Sequence, residues 1–281
     1  MKMDAVKKKE LESLCRKLRI ELIEQLHKIQ TGHPGGSLSV TEILATLYFN
    51  VMNVRPEDPQ WEDRDRFVLS KGHAAPMLYL ILAEKGFFPK SELKTLRQIN
   101  SILQGHPCAH LTPGVEVSGG PLGLGISAAT GIAATAKLDG KSWKTYALLG
   151  DGEIQEGIVW EAAQSAVKFK LDNLIAILDW NGVQLDGPVE NVMPSGDIAA
   201  KWSAFGWRVL VTDGHDLECL DKALKSAKDG DGRPTIILAK TVKGKGISFM
   251  EGQSKWHGSP IDVESYKSAI NELKEGGDCN A

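Results

Sequence analysis

Two oxygen-bearing residues stand out by type and spacing. Asp151 sits in Gly150-Asp151-Gly152, directly after one apolar run, and Asn181 follows the next apolar run thirty positions on. If those runs are neighbouring parallel strands, both residues emerge at the same sheet edge. A carboxylate, a side-chain carbonyl and the main-chain carbonyl of Val183 would then surround one point. Oxygens of this kind suit magnesium, a hard cation that takes an octahedron of ligands near ~2.1 Å and keeps phosphate oxygens and water among them. Gly152 lets a phosphate approach the backbone, and the following helix would point its N-terminus at the anion. An Asp-Gly turn after a strand is also ordinary punctuation. These residues alone leave a plain turn and a metal site both open.

Of seven histidines, four lie in glycine-containing loops: His33 in Gly32-His33-Pro34, His73 in Gly72-His73-Ala74, His106 in Gly105-His106-Pro107, and His257 before Gly258. A neighbouring glycine lets an imidazole stand clear of the backbone, and loops on a rigid scaffold are where chemistry usually resides. Converging imidazoles could bind a polar substrate and relay protons near neutral pH. Any one of them alone reads more readily as a structural hydrogen-bonding group; the repeated setting argues for a shared task. Zinc is disfavoured, because no HxxxH or HxH spacing occurs and no cysteine lies nearby. His27, His110 and His215 lack the glycine setting and read as surface or capping residues.

The elements that must position these groups alternate between helix and strand. Leu11, Leu14, Leu18, Leu22, Leu26 and Ile29 recur at helical spacing and predict an amphipathic helix over 4–30, with Gly32 as its C-cap. A glycine-rich loop at 33–36 follows, then a helix starting at Ser39, which has capping-box spacing to Glu42. Strands are expected at 66–69, 146–149, 174–178, 208–211 and 235–239. Helices are expected through Leu82 and over 127–138, 156–169, 216–228 and 262–274, with a long ordered loop at 104–125. This alternation predicts an α/β fold: a doubly wound parallel sheet with helices on both faces and ligands beyond the carboxyl ends of its strands. With no repeat or linker, residues 1–281 read as a single α/β domain with an N-terminal helical extension.

Composition narrows the function classes. The chain is 42% hydrophobic and 25% charged with a net charge of -3, so no basic stripe calls for nucleic acid. Lys7 to Lys9 are followed by Glu10 and Glu12 and read as a solvated helix face. Cys15, Cys108, Cys219 and Cys279 are scattered, as in a reduced cytosolic protein. The N-terminus is charged rather than secretory, and no apolar run approaches the roughly 20 residues of a membrane span. A soluble, cytoplasmic protein without membrane or nucleic-acid partners is expected.

Longer segments carry a family resemblance. They are "TGHPGGSLS" at 31–39, "FVLSKGHAAPMLY" at 67–79, "GHP" at 105–107 and "GVEVSGGPLGLGIS" at 114–127. They continue with "GDGEIQEGIVWEA" at 150–162, "LDWNGVQLDG" at 178–187 and "TVKGKGISFMEGQSKWHG" at 241–258. No single motif decides the matter, but their order and spacing are highly specific and span nearly the whole chain. The chain resembles the N-terminal, thiamine-diphosphate-binding part of a transketolase, the diphosphate-binding (PP-type) domain. The resemblance implies that Asp151, Asn181 and the Val183 carbonyl hold magnesium, or another divalent cation such as calcium or manganese. By the same resemblance Gly152 contacts the diphosphate, while Gly120, Pro121 and Leu122 lie against the cofactor's middle and pyrimidine end. His73, Lys243 and His257 would contact cofactor and substrate. His33 and His106 would bind ketose hydroxyls and assist proton transfer. Glu156 would belong to the network joining paired active sites, and Asp179 would support the thiazolium side. Gly36 departs from the family, where many members carry a small hydroxyl residue; a bond to the diphosphate is then absent or supplied by backbone.

The resemblance also implies what must come from elsewhere. In the family a glutamate on a second α/β domain activates the aminopyrimidine, and full-length members carry that domain downstream. This sequence ends after one domain and a helix, with Gly276-Gly277 opening a polar tail. The expectation is a split enzyme, with a separate C-terminal subunit carrying the pyrimidine-binding domain and two copies of each chain. The implied reaction is reversible transfer of a two-carbon ketol group from a ketose phosphate to an aldose phosphate. Components resembling deoxyxylulose phosphate synthase, dihydroxyacetone synthase or a 2-oxo acid dehydrogenase use the same metal motif and stand as alternatives. So does a non-catalytic cofactor-binding module, which would need the metal ligands but not the four loop histidines.

Overall fold

Parallel strands form the frame in the computed structural model, which describes residues 3–275; Gly276, Gly277 and Cys279 lie outside the described residues. The strands are β1 (Arg66–Leu69), β2 (Thr145–Gly150), β3 (Leu174–Trp180), β4 (Arg208–Asp213) and β5 (Thr235–Lys240). Their order across the sheet is β1-β2-β3-β5-β4, and every pair is parallel. The α-helices are α1 (Ala5–Ile29), α2 (Pro34–Leu38), α3 (Thr41–Thr46), α4 (Ala75–Lys85), α5 (Leu124–Leu138) and α6 (Gly157–Lys168). They continue with α7 (Val189–Val192), α8 (Ile198–Ala204), α9 (Leu217–Lys228) and α10 (Val263–Glu275).

Alternate strand residues feed two separate cores, as the period of two requires. Leu148, Ile177 and Ile237 pack with α1, α3, α4, α9 and α10. Leu149, Leu178 and Leu238 pack with α5, α6 and α8 on the other face. Burial on both faces explains why the strands read as continuous apolar runs. Leu11, Leu18, Leu22 and Leu26 of α1 are buried, each stabilising by roughly 1.5–3 kcal/mol relative to exposure. The doubly wound sheet is as expected. No helix among the described residues is long and apolar enough to cross a membrane.

Local chemistry departs from the sequence reading in places that matter to the site. The left-handed residue ending α1 is Gln30, whose N–H reaches Leu26 O at 3.0 Å; Gly32 is not the cap. Gly32 has φ +129°, and a Cβ there would stand 2.6 Å from Leu26 Cδ2. Residues 33–36 are not a loop, because Pro34 opens α2. Nor do Ser39 and Glu42 form a capping box: α3 starts at Thr41 with no side-chain cap. Ser39 Oγ instead donates to Asp179 Oδ2 at 2.7 Å, and Glu42 is taken by Arg19 and His215. Bonds to buried charges win over a local cap because they are the stronger ones. The helix expected over 156–169 is present as α6 with Glu156 as its N-cap, but a 3₁₀ turn, Glu153–Gln155, stands between it and Gly152.

Candidate active site at the strand tips

Register brings the two halves of the oxygen set together. Gly150 of β2 pairs with Asp179 of β3, so Asp151 and Asn181 leave adjacent strands within two residues of that pair. The Asp151 carboxylate spans the gap: Oδ1 accepts from Gly152 N at 2.9 Å and Oδ2 accepts from Gly182 N. Asn181 Oδ1 accepts from Val183 N at 3.1 Å, while its Nδ2 donates to Asp179 Oδ2 at 3.0 Å. A cavity of about 360 Å³ opens over these tips, lined among others by Asp151, Gly152, Asn181, Val183 and Lys243. Gly36, Gly120, Leu122, Glu156, His73, His106 and His257 also line it.

Beneath the cavity lies a buried charge network. Asp179 is fully buried and accepts from Lys71 Nζ, Ser39 Oγ, Thr241 Oγ1 and Asn181 Nδ2. Its oxygens are occupied by protein donors, so it builds the floor and has no surface to offer a ligand. Burial works to raise the Asp179 carboxyl, but the Lys71 ammonium and the bonds from Lys71, Thr241 and Ser39 together outweigh it and hold it below the ordinary value. Lys71 also donates to Gly36 O at 3.0 Å, tying α2 to the strand tips. Burial, and then the charge of Asp179, push the Asp151 carboxyl up to about 6. Glu153, buried beside it, accepts from Gly150 N at 2.9 Å and Gly123 N at 2.8 Å, and so joins the two loops bordering the cavity.

The four glycine-flanked histidines converge on one another. His73 lies 5.0 Å from His257 and 5.4 Å from His33 between ring centroids. His33 is 5.5 Å from His257 and 6.5 Å from His106. Burial depresses all four. His257, facing Lys243, falls to about 3, and His33, facing Arg97, to about 4. His73 falls well below its ordinary value and His106 falls too. The rings are therefore neutral at pH 7, each with one donor and one acceptor nitrogen. Lys243 Nζ donates to His257 Nδ1 at 2.9 Å, which leaves the neutral ring's proton on Nε2. The same ammonium donates to Val183 O at 2.9 Å and Gln184 O at 3.3 Å; burial, then the nearby Lys71, push it down to about 8. His33 Nδ1 is buried without a hydrogen-bond partner.

Other singled-out residues scatter more. Gly120 and Leu122 reach the cavity wall; Pro121 is exposed and does not line it. Glu156 is exposed at the cavity rim and makes no capping bond. A Cβ added at Gly36 would stand 3.4 Å from the His73 ring and from Lys71 Nζ, in contact with both. His215 is no surface residue: its ring bonds Glu42 and Val242. Sequence reasoning missed Lys71, Thr241 and Glu153. Each stood inside a quoted motif, and the one available signal was Lys71, a charged residue two positions beyond the apolar end of β1.

The residues present fit a hard divalent cation with a diphosphate. Among the described residues no three His, Cys, Asp or Glu side chains gather as a metal site. The candidate set is instead one carboxylate and two neutral carbonyl oxygens, a donor chemistry that leaves places for phosphate oxygens. A buried Asp151 raised by desolvation is stabilised by any cation brought to it. The ammonium of Lys243 already rests on the Val183 carbonyl of the set.

Comparison with known proteins identifies the family. The model of the transketolase, thiamine diphosphate binding domain family matches residues 9–275. An apulose-4-phosphate transketolase subunit from Phocaeicola vulgatus is 43% identical over 265 residues, covering 94% of this chain and 94% of that protein. The 6-deoxy-6-sulfo-D-fructose transketolase subunit SqwG of a Clostridium species is 42% identical over 268 residues, 95% of this chain and 98% of that one. The solved transketolase from Leishmania mexicana superposes with a TM-score of 0.88 at 34% identity, over 94% of this chain but 41% of that longer one. The chain belongs to the transketolase family, matching its thiamine diphosphate-binding domain.

Proposed function

We propose that this chain is the diphosphate-binding subunit of a two-chain transketolase. In this reading residues 1–281 are one PP-type unit, and a complementary subunit supplies the pyrimidine-binding domain. Two copies of each chain, a cytoplasmic location and a place in pentose phosphate metabolism complete the reading. The similarity to proteins of comparable length that are themselves named as transketolase subunits supports the need for a partner. Asp151, Asn181 and the Val183 carbonyl would hold magnesium, and Gly152 would meet the diphosphate. Thiamine diphosphate, when bound, supplies the electron sink for carbon–carbon cleavage.

The chain's own residues would handle protons and hydroxyls. His33, His73, His106 and His257 are neutral near pH 7 and can each donate at one nitrogen and accept at the other. Leu122 and Gly120 would flank the cofactor. Lys243 brings a positive charge to the same cavity wall as the metal ligands. Glu156, at the rim, would act toward a neighbouring protomer. The observation that carries the reading is the convergence of four imidazoles, with neighbouring rings 5.0–6.5 Å apart, of which His73, His106 and His257 line the cavity above the strand-tip oxygens and His33 packs against them. A bare cofactor carrier has no use for them.

The test is reconstitution. The chain is mixed with its complementary subunit, magnesium and thiamine diphosphate, and ketol transfer to an aldose phosphate is followed. The donor panel runs over ketose phosphates and includes apulose 4-phosphate and 6-deoxy-6-sulfofructose, the sugars in the names of two relatives. Transfer should appear with both chains and not with this one alone. Robust transfer by the single chain, or pyruvate decarboxylation without ketol transfer, would overturn the reading.

A further inference from the structure

We propose that Arg19, Glu42 and His215 form a positioning unit that sets the strap of residues 241–246, and through it Lys243. The three side chains come from α1, α3 and the turn after β4, and they meet at side-chain exposures of 9%, 9% and 15%. Arg19 grips Glu42 at both oxygens: Nη1 lies 2.6 Å from Oε1 and Nη2 lies 2.8 Å from Oε2. His215 Nδ1 lies 2.9 Å from Glu42 Oε2.

The outward bonds of this cluster all go to the strap. Arg19 Nε donates to Lys245 O at 3.0 Å, and Val242 N donates to His215 Nε2 at 2.8 Å. A backbone N–H can only donate, so Nε2 is the acceptor and the neutral ring's proton sits on Nδ1, facing Glu42. Burial works to raise the Glu42 carboxyl, while Arg19 and the bond from His215 outweigh it and hold it at about 2. The acceptor is thus a full carboxylate, and it fixes both the fork of Arg19 and the tautomer of His215.

The other strap contacts complete the clamp. Thr241 Oγ1 donates to Asp179, and Gly244 N donates to Gly35 O at 3.0 Å. Gly244 has φ +79°, and a Cβ there would stand 2.4 Å from Met250 O, so the strap doubles back tightly. Residues 241 and 244 are therefore held by the cavity floor and α2, and residues 242 and 245 by the unit. Lys243 stands between them with Nζ on Val183 O and Gln184 O. A buried ion pair is weak evidence for stability, because apolar residues of equal volume do as well. In some proteins such a pair serves to fix a geometry instead, and the geometry assigned to this one is that of Lys243. In this way α1 acts on a cavity it does not line.

The hold on the strap is independent of any ligand; its effect on cofactor affinity rests on the proposed function. Two measurements separate them. Hydrogen exchange is followed by mass spectrometry across 241–250 in the purified chain. The half-saturating concentration of thiamine diphosphate is measured with magnesium in the assembled two-chain enzyme. His215→Phe keeps the shape and removes both bonds. It should speed strap exchange several-fold and raise the half-saturating concentration about tenfold, with kcat at saturation within about twofold. His215→Gln, which restores an acceptor for Val242 N, should recover most of both effects. Arg19→Lys keeps the charge facing Glu42 but loses the bond to Lys245 O, and should give a smaller change of the same kind. That variant and His215→Gln decide the matter if His215→Phe does not fold. Strap exchange unchanged in folded variants, or a loss confined to kcat, overturns the proposal. Failure of the unsubstituted enzyme to bind the cofactor would instead sink the functional reading, while the exchange comparison would still decide this one.

Discussion

The floor of the cavity and its histidine wall solve the problem of burying polar groups in opposite ways. The floor keeps its charges and pairs them: Lys71 with Asp179, and Asp151 with two backbone N–H groups. The wall, with His33 packed against it, sheds its charge, because burial and neighbouring cations hold His33, His73, His106 and His257 neutral. Charged groups in fixed positions suit a metal and a diphosphate, whose own charges do not change. Neutral imidazoles suit proton exchange, since each has a lone pair and a proton available at once. The difference teaches that one cavity can hold an ion and move protons provided the two tasks stand on different walls.

Breaking the floor should have the largest effect. Lys71→Met leaves Asp179 buried without its cation and should cost about 3–5 kcal/mol in urea denaturation of the metal-free chain. Adding Asp179→Asn should return much of that loss, because no charge then remains unpaired. A Lys71→Met penalty below about 1 kcal/mol would mean that the pair is not the floor's main support. A comparable apolar replacement at the wall, His73→Phe, should cost far less, since no ion is stranded.

Asp151→Asn should come next, with opposite signs in two assays. Cofactor affinity in the presence of magnesium should fall by at least about a hundredfold, since loss of groups one shell further out already costs about 10–100-fold. The metal-free chain, however, should gain a few degrees in Tm, because a carboxyl raised to about 6 is an unfavourable buried anion at pH 8. Calorimetric titration and thermal scans in a chelator read the two. Unchanged affinity would remove Asp151 from the ligand set, and a lower Tm would show that its two N–H bonds outweigh its desolvation.

The sequence carried the frame further than it carried the floor. The strands were legible because burial on both faces turns them into unbroken apolar runs, as at 174–178 of β3. The strand-tip pair Asp151 and Asn181 was legible because parallel register depends on topology, and alternating elements nearly dictate topology. The floor was not legible. Lys71, Ser39 and Thr241 reach Asp179 from 62 to 140 positions away, and no local pattern encodes such a meeting. The capping-box reading of Ser39 and Glu42 failed for the same reason: a short-range rule was overruled by long-range charges. His215 was passed over because its neighbours in sequence say nothing of Glu42, which stands 173 positions away. The short helices α7 and α8 were missed as well, being too brief to show a periodicity.

The smallest effect is the most direct comparison of wall and floor, because the two should bend the pH dependence of stability in opposite directions. His33 and His257 are lowered from 6.5 to about 4 and about 3. As pH falls below 6.5 the unfolded chain takes up protons that the folded chain refuses, so their contribution, complete above 6.5, is lost as pH falls through those lowered values. Asp151 is raised from 3.8 to about 6, so between those values the folded chain binds the extra proton and stability rises as pH falls. In a chelator, between pH 7.5 and 5, His257→Phe should therefore lose Tm less steeply than the unsubstituted chain. Asp151→Asn, stripped of the opposing contribution, should lose it more steeply. The slopes should part by only a few degrees across the range, which thermal scans at closely spaced pH resolve. Equal slopes in all three proteins would mean that wall and floor are electrostatically alike, and the division of labour between them would fall.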